Sequence, residues 1–313
     1  METDKTIYLR KIPARRSDSN KGTYGKVLVA AGSEGMCGAA YLAGLAACRS
    51  GAGLVRILTP QSNRLIVQSL LPEAIFTGYD TDSNFQVLSE ANVSWADIVV
   101  LGPGLGTEAL SVTLVRELLQ TIATQWNHKF PLLLIDADGL NILSACPELM
   151  QLVDHIAARI PVVVTPHPME MARLSAASLQ EILQCPAHAA EALAEAHGTI
   201  TVMKGSETIV MDPDGHAFQN PEASPALSKG GSGDVLSGAI AGVYAVLRAD
   251  RINAMNEAPA EEQQIQWRKM AFDATVTAVL LHAEAGRQAA KIHGTHGVLA
   301  RETADMLGIV MQK

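Results

Sequence analysis

The chain has 313 residues, 48% of them hydrophobic, enough to bury a large core as one α/β domain spanning residues 1–313. A formal net charge of −8 at pH 7 provides no field to draw nucleic acid or an anionic membrane surface, so neither is expected as a partner. The four cysteines, Cys37, Cys48, Cys146 and Cys185, form no CxxC pair, the start Met1-Glu2-Thr3-Asp4-Lys5 lacks the order of a signal peptide, and no apolar run reaches bilayer length; the expectation is a soluble cytoplasmic protein with reduced thiols.

In chain order, Lys21-Gly22-Thr23-Tyr24-Gly25-Lys26 leads into a first strand, Val27 to Ala30. The residues from Ala31 to Ala40 then join that strand to a helix of small residues. Gly32, Gly35 and Gly38 miss the GxGxxG spacing of a dinucleotide turn, and the loop reads instead as facing a substrate. Further β-branched runs at Leu54 to Leu58, Ile98 to Leu101, Leu132 to Ile135 and Val162 to Val164 alternate with longer alanine- and leucine-rich segments. Parallel strands need helical crossovers that cover both faces, so this alternation predicts a central, mostly parallel sheet between two helical layers. After residue 198 the pattern changes: Thr199 to Met203 and Thr208 to Met211, with the turn Asp212-Pro213-Asp214-Gly215, predict a hairpin-like element at a sheet edge. The polar stretch from Ala249 to Gln266 predicts an exposed loop or a solvated helix extension between two apolar helices, Val235 to Leu247 and Met270 to Ala290.

Ligands of such sheets bind beyond the C-terminal ends of the strands, and the chemistry-bearing motifs gather there. Gly102-Pro103-Gly104-Leu105-Gly106 follows one strand, and its glycines let a ligand approach the backbone closely. Asp136-Ala137-Asp138-Gly139-Leu140-Asn141 follows the next; its two carboxylates suit either a metal-bound phosphate or the capping of the following helix. In Thr165-Pro166-His167-Pro168-Met169-Glu170, prolines fix the backbone that presents His167, either to a substrate or to a nearby turn carbonyl, while Glu170 is equally a first-turn helix carboxylate. Val202-Met203-Lys204-Gly205-Ser206-Glu207-Thr208 ends a strand with a lysine and a turn, which suits either a nucleotide or a plain hairpin.

The strongest motif is Lys229-Gly230-Gly231-Ser232-Gly233-Asp234, running into a clear helix. Close glycines turn successive N–H groups toward one anion, and the helix adds its partial positive end at the same point. Gly230, Gly231, Ser232 and Gly233 are therefore expected to cradle a phosphate. Asp234 either caps the helix or takes the proton from a hydroxyl as it attacks phosphorus.

Taken in order, KGTYGKVLVAAGS, CGAAYLAGLAACRSGAGLV, LPEA, GPGLG, DADGLN, TPHPMEMARL, VMKGSETIV and KGGSGDVLSGAIAG resemble the ADP-dependent NAD(P)H-hydrate dehydratases, a branch of the ribokinase-like fold, over roughly residues 20 to 310. The resemblance implies removal of water from the S-epimer of NADHX or NADPHX, with ADP consumed to AMP and phosphate. It implies that Ala39, Gly104, His167 and Asp234 meet the hydrated cofactor and that Lys204, Gly205, Ser206, Glu207, Thr208 and Gly233 meet the adenine nucleotide, with Asp234 as the catalytic base. Magnesium and a homotetramer are also implied, with no residue set assigned to a metal. Some members carry a fused epimerase; about twenty residues precede the first motif here, so a separate epimerase is expected.

Two positions depart from the family pattern. Met169 stands where glycine is usual in TPHPGE, which bears on the loop beside His167, and Ser224-Pro225 replaces a glycine-containing stretch before the final turn. The rival readings are a small-molecule kinase of the same fold, acting on a vitamin precursor such as hydroxyethylthiazole or a hydroxymethylpyrimidine, and a nucleotide-binding regulator without turnover. The kinase shares Asp234 and the anion cradle but leaves KGTYG and TPHP unexplained, and the presence of Asp234 counts against the regulator.

Overall fold

The computed structural model describes residues 1–313 apart from 1, 3, 4, 10, 11, 127, 129, 223 and 313. Its nine strands are β1 (Lys26–Ala30), β2 (Leu54–Pro60), β3 (Ile75–Tyr79), β4 (Ile98–Leu101), β5 (Leu132–Ile135), β6 (Val162–Val164), β7 (Ile200–Met203), β8 (Ile209–Met211) and β9 (Ala217–Gln219). They join one sheet in the order β3-β2-β1-β4-β5-β6-β7-β8-β9. The run from β3 to β7 is parallel, while β8 and β9 turn back antiparallel at the edge, as the hairpin pattern predicts.

Strands β4, β5 and β6 are β-branched or leucine throughout because both of their faces are covered. Alternate residues divide between two cores. Val27, Val29, Ile98, Val100, Leu132 and Leu134 pack on one side with the Cys37–Arg49, Ser232–Glu257 and Ala260–His293 helices. Leu28, Val99, Leu101, Leu133 and Ile135 pack on the other with the Ala109–Gln125, Pro147–Ala157 and Pro186–His197 helices. This is the period-two alternation of a strand, and it makes the sheet a rigid middle layer.

Strand β3 escapes sequence reading. Its IFTGY stretch contains Gly78, and only Tyr79 is buried, so an edge strand of this kind lacks the apolar run that marks β4 and β5. The polar stretch 249–266 resolves as helix extension: one helix runs through Glu257 and the next starts at Ala260.

Order along the sheet reverses at β1, which has β2 on one side and β4 on the other, and this opens a crevice beyond the C-terminal ends of β1 and β4. The loops on either side are stitched together: the Gly32 N–H donates to the Pro103 carbonyl at 2.7 Å and the Ser33 hydroxyl to the Gly104 carbonyl at 2.9 Å. The Lys21–Lys26 run lies at the opposite edge of the sheet, where Gly53 and Leu54 donate to the carbonyls of Tyr24 and Gly25 and set the start of β2.

Candidate active site

Gly231 is the residue before the Ser232–Glu257 helix, with φ +90°, a left-handed backbone that glycine alone adopts freely. A Cβ there would stand 2.5 Å from Leu42 Cδ1 and 2.9 Å from Ala300 Cβ, so packing also demands glycine. The turn leaves the N–H groups of Gly231, Gly233 and Asp234 without an acceptor among the described residues. Together with the positive end of a 26-residue helix they form an anion site. Gly230 is exposed, and a Cβ there would meet open space.

Asp234 lies in the first helical turn, three residues after Gly231, and makes no capping hydrogen bond. The capping role is thereby removed for this carboxylate. Burial, with repulsion from Asp136 and a smaller part from Asp138, pushes the Asp234 carboxyl up to about 6 against the pull of Lys204. A half-buried carboxylate with this affinity for a proton suits a general base near neutral pH.

Asp136, 1% exposed, resolves differently from either role the sequence allows. Its Oδ1 accepts from Lys204 Nζ at 2.6 Å and its Oδ2 from the Ser237 hydroxyl at 2.7 Å. Burial alone would raise this carboxyl, but the Lys204 ammonium and these hydrogen bonds hold it below the usual range. Lys204 also stands 3.6 Å from Glu170, and the two carboxylates keep its ammonium charged in spite of burial. Asp138 accepts from the Gly106 N–H at 2.8 Å and from Asn141 Nδ2 at 3.2 Å, tying the glycine loop after β4 to the helix after β5. That helix begins at Asp138 after Ala137 and has no side-chain cap. Among the described residues no group of three or more His, Cys, Asp or Glu side chains forms a metal cage.

His167 is the N-cap of the Pro168–Ser175 helix. Its Nδ1 accepts from the N–H groups of Met169 and Glu170 at 3.1 and 3.3 Å, while Glu170 returns the bond by accepting from the His167 N–H at 2.8 Å. That pattern assigns the proton to Nε2, which lies 3.2 Å from Glu170 Oε1. Burial and the nearby Lys204 lower His167 against the pull of Glu170, so the ring is neutral. Met169 sits inside the first turn of this ordinary right-handed helix, 51% exposed, and does not distort the loop.

The residues expected at the site fall into two groups on either side of Asp234. Ala39 and Gly104 meet at the crevice: a Cβ on Gly104, whose φ is +61°, would stand 2.6 Å from Ala39 Cβ. Opposite them, Gly233 lies beside Lys204, where a Cβ would be 3.6 Å from Nζ. Gly205, Ser206 and Thr208 line a cavity of about 340 Å³ whose far walls include Leu227, Leu236 and Val279. Pro225, one of the departing residues, opens a short 3-10 turn on the rim of this cavity. Glu207 does not join them; it is exposed and accepts from Gln219 Nε2 on β9. The Ser232 hydroxyl points inward to His282 at 3.3 Å. His282, Ser237 and the pairing of Asp136 with Lys204 all escaped sequence reasoning. A lone histidine inside the apolar run AVLLHAEAG is the one visible signal of His282.

Comparison with known proteins identifies the family. The family model described as NAD(P)H-hydrate dehydratase matches residues 27–308. The chain belongs to that family. Among its relatives, the ADP-dependent (S)-NAD(P)H-hydrate dehydratase of Bacillus subtilis is 30% identical over 311 residues, covering 96% of this chain and 94% of that one. A bifunctional NAD(P)H-hydrate repair enzyme Nnr from Moorella thermoacetica is 31% identical over 310 residues, 96% of this chain, and the match spans 52% of that longer protein. The crystal structure of the ADP/ATP-dependent dehydratase from Bacillus subtilis, co-crystallised with ATP/Mg2+, superposes with a TM-score of 0.74 at 28% identity, covering 98% of this chain and 96% of that one. The nine-stranded sheet with helices on both faces is thus the ribokinase-like α/β fold.

Proposed function

We propose that this chain dehydrates the S-epimer of NADHX or NADPHX at the expense of ADP, yielding NADH or NADPH, AMP and phosphate. The observation that carries the reading is Asp234: a carboxyl pushed up to about 6, free of capping, at the mouth of an anion-binding turn and between the two groups of residues described above. The adenosine end of ADP fits the 340 Å³ cavity beside Gly205, Ser206 and Thr208, with Lys204 and Gly233 near its phosphates, while Glu207, exposed and held by Gln219, would reach the nucleotide only from outside the cavity lining. The hydrated ring fits the crevice, against Ala39, Gly104 and His167.

A ring hydroxyl is a poor leaving group. Asp234 takes its proton as the hydroxyl oxygen attacks the terminal phosphorus of ADP, and AMP departs. The N–H groups of Gly231, Gly233 and Asp234 stabilise the charge on the transferred phosphoryl, alongside the open Gly230 and the N-terminal Ser232 of the helix. The ring nitrogen then supplies its electron pair, phosphate leaves with the C–O electrons, and loss of a proton from the neighbouring ring carbon restores the dihydropyridine. The neutral His167, its Nε2 proton directed at Glu170 Oε1 3.2 Å away, is suited to meet the substrate as an uncharged ring held in place from both nitrogens.

The magnesium implied by the family resemblance fits only as an ion carried mainly by phosphates and water. Asp136 is taken by Lys204 and Ser237, Asp138 by Gly106 and Asn141, and the described residues form no acidic cage. Bound there it would neutralise phosphate charge, and no step above is routed through it. Epimerisation is no part of the chemistry proposed for the dehydratase match over residues 27–308, and that step would need its own activity. A homotetramer is the expected assembly, which light scattering reads directly. Incubation with NADHX and ADP, followed by NADH absorbance, tests the function. Recovery that requires ADP supports it. ADP turnover with a thiazole or pyrimidine alcohol and no recovery would make the chain a kinase, and binding without any turnover a regulator.

A further inference from the structure

His282 lies in the long Ala260–His293 helix and is 7% exposed, yet it belongs to none of the site motifs. It lines the 340 Å³ cavity on the wall opposite Gly205, Ser206 and Thr208, between Val279 and Ala283. Its Nε2 lies 3.3 Å from the Ser232 hydroxyl, in the anion-binding turn. Beyond that hydroxyl and the Ser232 backbone, no hydrogen-bond partner engages the ring among the described residues, and Nδ1 is not sealed from the cavity. Burial lowers His282 to about 4, so near neutral pH the ring is uncharged and presents one donor and one acceptor.

A polar ring atom that opens on a cavity bonds water while the cavity is empty, and a ligand that displaces the water must replace that bond or lose affinity, whereas a leucine or phenylalanine on the same wall makes no such demand. A polar ligand in the cavity supplies that bond directly. We propose that His282 is a nucleotide-recognition residue: Nδ1 bonds the adenosine part of ADP, while Nε2 holds the Ser232 hydroxyl, so one side chain joins the cavity to the phosphate turn. This rests on the assignment of the cavity to ADP.

Binding of ADP measured by calorimetry, without any turnover, tests the idea. An asparagine amide places a polar atom near the position of Nδ1, and a glutamine amide near that of Nε2. His282→Phe should weaken ADP binding about tenfold, the scale of one hydrogen bond. His282→Asn should keep affinity within about threefold of the parent, and His282→Gln should bind as poorly as the phenylalanine variant. A role confined to Ser232 predicts the reverse, rescue by glutamine and not by asparagine, and that result would overturn the proposal. So would tight ADP binding by His282→Phe. Thermal melts of all three identify a variant that has failed to fold, and the asparagine-to-glutamine comparison still decides the question. If the parent protein itself fails to bind ADP, the assignment of the cavity is lost as well, which the phenylalanine result alone does not imply.

Discussion

The two sides of Asp234 are built on different physics. On the cavity side, position is set by charge: Lys204 is held by Asp136 at 2.6 Å and by Glu170 at 3.6 Å, and the N–H groups of the glycine turn stand ready for an anion. On the crevice side, position is set by backbone shape: Gly32, Gly104 and Gly106 all have positive φ and are stitched to Pro103, Ser33 and Asp138. A side built on charge should fail through electrostatics and stability. One built on shape should fail through sterics, with the charge chemistry left standing.

The largest effect is expected at the junction. Asp234→Asn keeps the shape and removes the base, so kcat for NADHX recovery should fall at least a hundredfold while ADP affinity stays within a few-fold. Unchanged recovery would remove Asp234 from the mechanism. In the parent protein kcat/KM should rise through about pH 6 as the carboxyl ionises. Stability runs the other way. The folded-state value is raised above the ordinary 3.8, so this group's contribution is fully present below about pH 4 and lost as pH climbs through about 6.

Next in size is the ion pair. Lys204→Met leaves Asp136, 1% exposed, with hydroxyls such as that of Ser237 but without its cation, and the protein should lose about 3 kcal/mol in denaturant unfolding. Combining it with Asp136→Asn should restore much of that loss, because no uncompensated charge remains buried. The single variant should also improve relative to the parent as pH falls. In the parent, the paired Asp136 is held low and its contribution disappears on acidification, whereas in the variant the unpaired carboxyl protonates at higher pH. A single variant as stable as the parent at pH 7 would show that Lys204 and Asp136 do not constrain one another.

How far each side can be read in the sequence follows the same division. Backbone-determined features announce themselves locally: the glycine turn 230–233, the GPGLG loop and the β-branched strands carry their conformational reasons in adjacent residues. Charge networks do not. Asp136 finds Lys204 68 residues away and Ser237 101 residues away, so capping and metal contact remain open until the chain is folded. His282 is hidden for a related reason, since an apolar helix around a histidine reads the same whether or not a cavity opens beside it. Strand β3 is hidden because edge position relieves it of the apolar run. His167 shows the limit of motif reading: prolines on both sides do fix it, but its Nδ1 caps a helix and its Nε2 lies against the buried Glu170 carboxylate, neither of which the motif announces.

On the crevice side, Gly104→Ala forces a left-handed backbone on a residue with a Cβ and brings that carbon within 2.6 Å of Ala39. The strain costs about 1–2 kcal/mol. In the proposed reaction the affected wall faces the hydrated cofactor, so KM for NADHX should rise about tenfold while calorimetric ADP affinity is unchanged. Weakened ADP binding would mean that the two sides are coupled through the Gly106 to Asp138 bond.

Met169→Ala sharpens the comparison by doing almost nothing. The position holds glycine in the family pattern, which would matter if the loop required a left-handed backbone there. It does not: Met169 is within the Pro168–Ser175 helix, absent from the positive-φ positions, and its N–H donates to His167 Nδ1 through a backbone group that alanine keeps. Its side chain is 51% exposed, so truncation creates no cavity. Recovery kinetics should therefore stay within twofold of the parent and unfolding free energy within about 0.5 kcal/mol. A larger rise in KM for NADHX alone would mean that the methionine side chain folds over the bound substrate, a contact that a glycine at this position cannot make.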